Sequence, residues 1–358
     1  MINLNEILAY KKQSPNLISK NLKNIKKKNS LYCLNYLSNL LQKNHSPLFN
    51  ELKIIIVLTI KWHFDYLAKT RNDPEQIKSS VIYWIETITI FSDFAKKGWI
   101  KSYTNKKHKK DDIWKVTKKA FNFMWPKNTS NEKFDVSKIL AEFRIKQVVD
   151  IISKNKKYFA NKVILDSGCG PGRYMDVMLK YNPKLIIGID SGKSIIFKNK
   201  NKFKKIKNIK FIHSTIDKLK LKKNSIDFLI SAGVLHHTKT PMAKLIKEHA
   251  RVIRKKGHFF VFIAGSGGME LELWKFCRNV MASVDINLAF DLLNNKISPM
   301  RLQGVLDHSY GEYKSTDRKK FESMLKKNFF KIIKIKDIND ADVTSQTFSS
   351  DKFFTKRF

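Results

Sequence analysis

The chain has 358 residues, long enough for two modules or for one large domain with an extension. Lysine and arginine number 70 against 31 aspartates and glutamates, a formal net charge of +39, and 42% hydrophobic residues allow a sizeable core. Three cysteines (Cys33, Cys169, Cys277) without CxxC spacing argue against a disulfide framework and against a metal site, and the most apolar run, "IIIVLTI" at 54–60, is closed off by Lys53 and Lys61.

The start of the chain, "MINLNEILAYKKQS", has no signal-peptide core, so the expectation is a soluble cytoplasmic protein without a membrane span. The charge has two readings. It could attract nucleic acid or an anionic surface. It could equally reflect the lysine, asparagine and isoleucine excess of an AT-rich genome, since lysine dominates over arginine and is spread along the whole chain. Nucleic acid is therefore a possible partner, but a disfavoured one.

Residues 1–105 are almost free of glycine and read as an all-α module. The stretch 30–44 places Leu31, Leu34, Leu37 and Leu41 on one stripe and opens with a capping-type Ser30. A second helix follows from 47 to 70. A third opens at Asp73, Pro74 and Glu75 and closes at Gly98. Their apolar faces (Ile54, Ile55, Val57, Leu58, Trp62, Phe64; Val81, Trp84, Ile85, Ile88, Phe91) exceed what a surface helix needs. They would form a small bundle, pack on the next domain, or bind a second copy or another partner.

Residues 106–160 read as an aromatic linker and a helix that cap the following domain. The charged stretch 101–112 is the linker signal. "FNFMWP" at 121–126 supplies the aromatics, and 136–159 carries Ile139, Phe143, Val148, Ile151 and Ile152 at helical spacing.

From residue 161 to 358 the rhythm is strand, turn, helix, repeated. "KVILDSG", "KLIIGID", "IKFIHST", "SIDFLISAGV" and "HFFVFIAG" read as buried strands, and 241–257 as a helix closed by Gly257. A helical insertion interrupts the pattern at about 266–300. A last helix precedes two closing strands near the C-terminus. The fold expected is α/β: a Rossmann-like, seven-stranded, mostly parallel sheet with helices on both faces, preceded by the all-α module.

"VILDSGCGPGRYM" at 163–175 marks the ligand site. Gly168, Gly170 and Gly172 sit where a strand turns into a helix, and a bare backbone there lets a ligand approach closely. The spacing is GxGxG, which is neither the GxGxxG of dinucleotide sites nor a P-loop. Asp166 beside the loop disfavours a phosphate and favours an ammonium. Asp190, at the tip of the next strand, suits the two hydroxyls of a ribose.

At these residues the chain resembles the class I S-adenosylmethionine-dependent methyltransferases, of the small-molecule type. "LDSGCGPGRY" resembles the family's first motif and "GIDSGKSII" its second. "HSTIDKLKLKKNSIDFLISAGVLHHTKTP" and "LIKEHARVIRKKGHFFVFI" resemble the stretches that follow. The resemblance implies S-adenosylmethionine as cofactor. Asp166, Gly168, Cys169, Gly170 and Gly172 would line its methionine portion, Asp190 and Ser191 its ribose, and Thr215, Ile216 and Asp217 its adenine. Asp217 could instead cap a helix. The segment containing Ala232 and Val234 would pass beneath the sulfonium.

The acceptor is less legible. His236 and His237 follow the fourth strand and are candidate bases, or structural groups of the turn. "VLDHSYGEYKSTDRKKF" at 305–321 reads as a loop before the last helix. It offers His308 and Tyr310 as further catalytic candidates and Asp307 and Tyr313, with Trp125 from the aromatic segment, as an acceptor wall. No (D/N)PP(Y/F) and no Pro-Cys follows the fourth strand, which disfavours the common nucleic-acid base chemistries. The expectation is methyl transfer to a small-molecule, glycan or lipid-type acceptor, at oxygen as a guess. The alternatives are an RNA methyltransferase using the basic surface, or a cofactor-binding scaffold without turnover.

Overall fold

The computed structural model describes residues 22–69, 73–96, 98, 113–128, 136–152, 156–266, 268–294, 296–297, 299–312 and 314–334. Three helices come first: α1 (Ser30–Lys43), α2 (Pro47–Lys69) and α3 (Ile77–Lys96). Asn29, not Ser30, caps α1. Asn29 is extended, and its side chain accepts the Tyr32 N–H at 2.9 Å. Ser30 is already helical and donates instead to the Glu75 carboxylate at 2.9 Å, tying α1 to the turn before α3. On α1, Cys33, Leu34, Leu37 and Leu41 are buried, while Leu31 is only half-buried.

The excess apolar surface of these helices is covered from within the chain. Ile54, Val57, Phe64, Val81, Ile85 and Ile88 are buried in a core that also contains Met269, Leu273, Phe276, Val280, Phe290, Leu302, Val305 and Leu306. The latter belong to α9 (Gly268–Met281), α10 (Ile286–Leu293) and α11 (Pro299–Tyr310). The stretch read as an insertion therefore packs against the first third of the chain. Ile55 and Trp62 keep 41% and 40% of their surface exposed.

Two further helices lead to the sheet, α4 (Ile113–Asn128) and α5 (Val136–Ile152). Ala120 and Met124, one turn apart, send α4 into the same helical core. On α5 the buried stripe is Ala141, Ile145, Val148 and Val149. Ile139 and Ile151 are exposed, so the stripe lies a fraction of a turn from where the sequence pattern put it. The linker read at 101–112 lies outside the described residues.

The sheet comprises β1 (Val163–Ser167), β2 (Leu185–Asp190), β3 (Ile209–His213), β4 (Ile226–Ala232) and β5 (Ile253–Phe262), in the order β3-β2-β1-β4-β5. Every pairing is parallel. Five strands replace the seven expected among the described residues. Residues 329–334 form no strand, and 335–358, where the closing pair was expected, lie outside the described residues. The strands are continuous apolar runs because both faces are covered. One face packs on α5 and α6 (Arg173–Leu179), the other on α8 (Met242–Val252) and α12 (Arg318–Lys327). Helix α7 (Lys193–Lys202) connects β2 to β3.

Helix α8 ends at Val252, well before Gly257. Ile253 already pairs with Ile226, and the register slips between Ile226 and Phe228. The left-handed residue of that bulge is Lys256, at φ 66°. Gly257 is small for a different reason: a Cβ there would meet Ile253 at 2.7 Å and two carbonyl oxygens at 3.0 Å. Among the described residues no helix is long and apolar enough to cross a membrane.

Lys53 of α2 is fully buried at the seam between the two parts of the helical core. Its ammonium donates to Ser283 Oγ at 2.8 Å and lies 3.4 Å from His45 Nδ1. Burial pulls its pKa down to about 8 from the ordinary 10.5. The unfolded chain then holds this proton to higher pH than the folded one. Stability from Lys53 should rise as pH climbs from about 8 towards 10.5, and the penalty should be full below 8. Lys53→Met should raise stability at pH 7 by about 2 kcal/mol and remove that alkaline slope. Urea unfolding at pH 7 and pH 9.5 measures both, and a destabilised variant would show that the ammonium is a net asset.

Candidate functional site

The glycine loop is held in place mainly by its own backbone. Gly168, Gly170 and Gly172 have φ of 83°, 46° and 76°, a region that side chains disfavour. The N–H groups of Gly168 and Cys169 both donate to the Ile189 carbonyl, at 2.7 and 3.0 Å. A Cβ on Gly168 would fall 2.4 Å from a Val234 methyl, so the loop and the β4 turn approach as closely as they can. Asn199 of α7, buried, donates to the Gly170 carbonyl at 2.7 Å.

Asp190 locks this arrangement. One carboxylate oxygen accepts the Gly170 N–H at 2.9 Å and the other accepts the Gly192 N–H at 2.8 Å. Burial raises its pKa, and the N–H groups of Gly192, Gly170 and Ser191 oppose the rise. Each oxygen retains a further lone pair for a ligand hydroxyl.

A cavity of about 360 Å³ opens beside the loop. Of the residues expected at the cofactor, Gly168, Cys169, Gly170, Asp190, Ser191, Thr215, Ile216, Asp217, Ala232 and Val234 line it. Gly172 does not; it starts α6, where its missing side chain leaves room for Phe203. Asp166 does not line it either. It is buried in β1, and its Oδ2 atom has no hydrogen-bond partner. Burial pushes its pKa up to about 7, Asp190 adds to the rise, and Arg173 opposes it. Asp217 caps no helix. The Thr215 hydroxyl and then the Thr240 hydroxyl hold its carboxyl below the usual range, the latter donating at 2.9 Å.

The residues fit S-adenosylmethionine. A buried, partnerless carboxylate oxygen beside the loop suits a cationic amino group, and a doubly anchored carboxylate at the tip of β2 suits a ribose. Among the described residues no group of His, Cys, Asp and Glu could hold a metal ion.

Helix α4 supplies a wall that sequence reading largely missed. Thr117, Lys118, Phe121 and Asn122 line the cavity, while Ala120 and Met124 face the helical core. Phe121 belongs to the aromatic segment expected there. The signal for the rest is the i, i+4 pairing of 117 with 121 and 118 with 122, opposite the apolar pair 120 and 124. Arg173, Ile195, Thr238 and Lys239 also line the cavity and were not foreseen.

The two histidines part ways. His236 is buried and does not line the cavity. Its Nδ1 accepts the Ala264 N–H at 3.2 Å, and burial pushes its pKa far down, so it joins β4 to β5. His237 lines the cavity. Its Nδ1 lies 2.9 Å from the Glu312 carbonyl, and its ring meets Phe121 edge-on at 4.9 Å.

The expected acceptor loop is largely helix. Asp307, His308 and Tyr310 all belong to α11, because Leu302, Val305, Leu306 and Tyr310 bury one of its faces in the helical core. His308 packs against Trp274 at 3.9 Å and does not reach the cavity. The Tyr310 hydroxyl is buried and donates to the Val284 carbonyl at 3.1 Å, which fixes α11 to the turn before α10. Asp307 approaches His237, with Oδ1 3.9 Å from Nε2. Tyr313 and the side chain of Trp125 lie outside the described residues.

Residues 165–261 match the family model for a methyltransferase domain. Curated relatives include the tRNA U34 carboxymethyltransferase of Helicobacter pylori (strain P12), 33% identical over 98 residues, which are 26% of this chain and 37% of that protein. The enzyme of the same name from Campylobacter fetus is 34% identical over 103 residues, 28% of this chain and 36% of its own. The chain thus spans well under half the length of these relatives. Among solved structures, the YcgJ protein of Bacillus subtilis aligns with 52% of this chain and 67% of its own, at 18% identity and a TM-score of 0.37.

Asp190→Ala should weaken S-adenosylmethionine binding by about 1–3 kcal/mol through loss of a charged acceptor. Calorimetry measures it, and unchanged affinity removes the ribose assignment. Asp166 supplies a second test. With its pKa near 7, about half of it is protonated at neutral pH, and a cation placed against it should drive that proton off. Titrations at pH 7 in buffers of different ionisation enthalpy should report release of up to about half a proton, fading above pH 8. No release would separate Asp166 from the ligand.

Proposed function

We propose that this chain, whose residues 165–261 form a methyltransferase domain of the S-adenosylmethionine-dependent class, transfers a methyl group to RNA. The observation behind the transfer chemistry is a glycine loop tied to Asp190, which lines the cavity, with the buried Asp166 of β1 beside the loop. The bound cofactor supplies an electrophilic carbon on a good sulfur leaving group. The protein then has three tasks: to hold the cofactor, to align the nucleophile and to exclude water.

In this reading Asp166 faces the amino group, Asp190 and Ser191 hold the ribose, and Thr215, Ile216 and Asp217 flank the adenine. Phe121 and Asn122 of α4 close the cavity from the helical side. Val234, in van der Waals conflict with any side chain at Gly168, keeps the β4 turn pressed to the loop.

The acceptor class rests on other support. The curated relatives carry a name that states action on tRNA, although the match covers under a third of this chain and well under half of theirs. The net charge of +39 suits a polyanion, and the exposed Lys118 and Lys239 stand on the cavity lining itself. This favours RNA over the small-molecule, glycan or lipid-type acceptor that the missing base-methylation motifs suggested. Those motifs serve particular base chemistries and do not cover every nucleophile on an RNA.

The test is a transfer assay. Pure protein, methyl-labelled S-adenosylmethionine and a native cell extract are incubated, and the label is fractionated. Label should enter RNA, and RNA binding should fall steeply between low and physiological salt. Label confined to small molecules, glycan or lipid returns the acceptor to the first expectation. Cofactor binding with no labelled fraction supports a scaffold.

A further inference from the structure

We propose that the outer face of α7 and the chain that leads from it into β3, residues 193–210, dock the RNA acceptor, with lysines on its phosphates and Phe197 stacked on an unpaired base. The inference rests on the RNA reading of the acceptor and deepens it. It names the surface of this chain on which that RNA lies.

The charge is concentrated here. Between Ser191 and Ile216 the chain carries eight lysines and no aspartate or glutamate. The chain's mean, +39 over 358 residues, would place only about three net charges in such a stretch. All eight lysines are exposed, from Lys193 at the start of α7 to Lys210 in β3. Elsewhere surface lysines are held by carboxylates, as Lys138 is by Asp176 and Lys180 by Glu142. Among the described residues no such ion pair holds Lys193, Lys200, Lys204 or Lys207.

Phe197 stands in the middle of this charge. Ile195, Ile196 and Asn199 bury the inner face of α7, which turns Phe197 outward with 66% of its surface exposed. Lys193, four residues before it, and Lys200 and Asn201, three and four after, are its exposed neighbours on the helix. A ring among cations suits a strand of nucleic acid: a base lies on the ring while the flanking phosphates meet the ammonium groups. Other readings cover less of the surface. Lysine on the open edge strand β3 discourages pairing with another sheet, which accounts for Lys210 alone. An anionic membrane calls for a helix with a broad exposed apolar face, and the isoleucines of α7 face the protein.

The helix is also bolted to the cofactor site. Ser191 and Ile195 line the cavity, and Asn199 donates to the Gly170 carbonyl at 2.7 Å. Asn122 of α4 lies against Gly192, where a Cβ would come within 2.7 Å of its side-chain oxygen. Lys118, one turn earlier on α4, is exposed and lines the same cavity. The ten residues of α7 span about 15 Å. An RNA on this face therefore runs from the cavity to the edge of the sheet.

Variants of the full chain are compared by fluorescence anisotropy across a salt series. The probes are a labelled RNA hairpin with an unpaired loop and a fully paired RNA of the same length. Lys193→Gln, Lys200→Gln, Lys204→Gln and Lys207→Gln combined should weaken both RNAs at least about tenfold at physiological salt, and should lower the slope of log Kd against log salt by about 3. Lys319, Lys320, Lys326 and Lys327 of α12 are exposed on the opposite face of the sheet. Their combined replacement by Gln removes the same charge and should cost less than about threefold. Phe197→Ala should weaken the hairpin roughly tenfold, spare the paired RNA and leave the salt slope unchanged, and Phe197→Tyr, which keeps the ring, should bind as the wild type does. None of these side chains lines the cavity, so S-adenosylmethionine affinity should be unchanged throughout. Equal losses in the two four-lysine variants would overturn this surface and leave the RNA reading standing. Unchanged hairpin binding in Phe197→Ala would remove the stacking. A wild-type protein that binds neither RNA removes both the surface and the RNA reading. Preference for vesicles containing phosphatidylserine over RNA, lost with the α7 lysines, would make this a membrane face and also overturn the proposal.

Discussion

The carboxylate of Asp190 is the constraint on which the rest of the site depends. It stands at the end of β2 and accepts one N–H from the glycine loop and one from the start of the turn to α7. The loop needs this anchor because three left-handed glycines have little local preference of their own. Ile189, one residue earlier, receives two more N–H groups from the same loop. Strand β2 thus sets the position of the β1 loop, and only the parallel pairing of β1 with β2 brings the two tips together. Ligands gather at such tips in open parallel sheets for this reason.

The second constraint is α4. One face of this helix enters the core made by α1, α2, α3, α9, α10 and α11, and the other lines the cavity beside the glycine loop. The helical part of the molecule is therefore no separate appendage. It reaches the cavity through α4, and through Glu312 and Asp307 it reaches the histidine at the cavity's end. Helical residues at 30–96 and 268–310 share one core although the whole sheet lies between them in the sequence. Such a site is assembled from sequence-distant pieces, and its geometry depends on that long-range packing.

This explains what could be read in advance. The strands of the sheet announce themselves as apolar runs ending in glycine and aspartate, and the loop at 168–172 carries its own spacing. Both signals are local. The expected residues that line the cavity follow from them, because they sit at or just past the ends of strands. Helix α11 was misread as a loop because "DHSYGEY" is rich in turn formers. Its helical state is set by the burial of Leu302, Val305 and Leu306 in a core shared with α9, α4 and α2, which no local pattern contains. The same blindness hid Thr117 and Asn122. Their face of α4 is polar, and a polar helix face reads as solvent until a cavity is found opposite it.

The charge distribution then takes on a sense that net charge alone lacks. A protein at +39 repels a cation at long range, and its cavity is lined by both signs, Asp190 and Asp217 among Lys118, Arg173 and Lys239. The repulsion is weak beyond about 8 Å at physiological salt, where surface charge is screened. Burial and then Asp190 raise the cost of ionising Asp166, with Arg173 opposing, while at Asp190 burial is opposed by backbone N–H groups. Asp190 is half-buried while Lys118 and Lys239 are exposed, so solvent and salt screen the lysines more than the aspartate. The sign of the local field therefore changes across the cavity lining, and the turn bearing His237 is where that lining meets the helical wall.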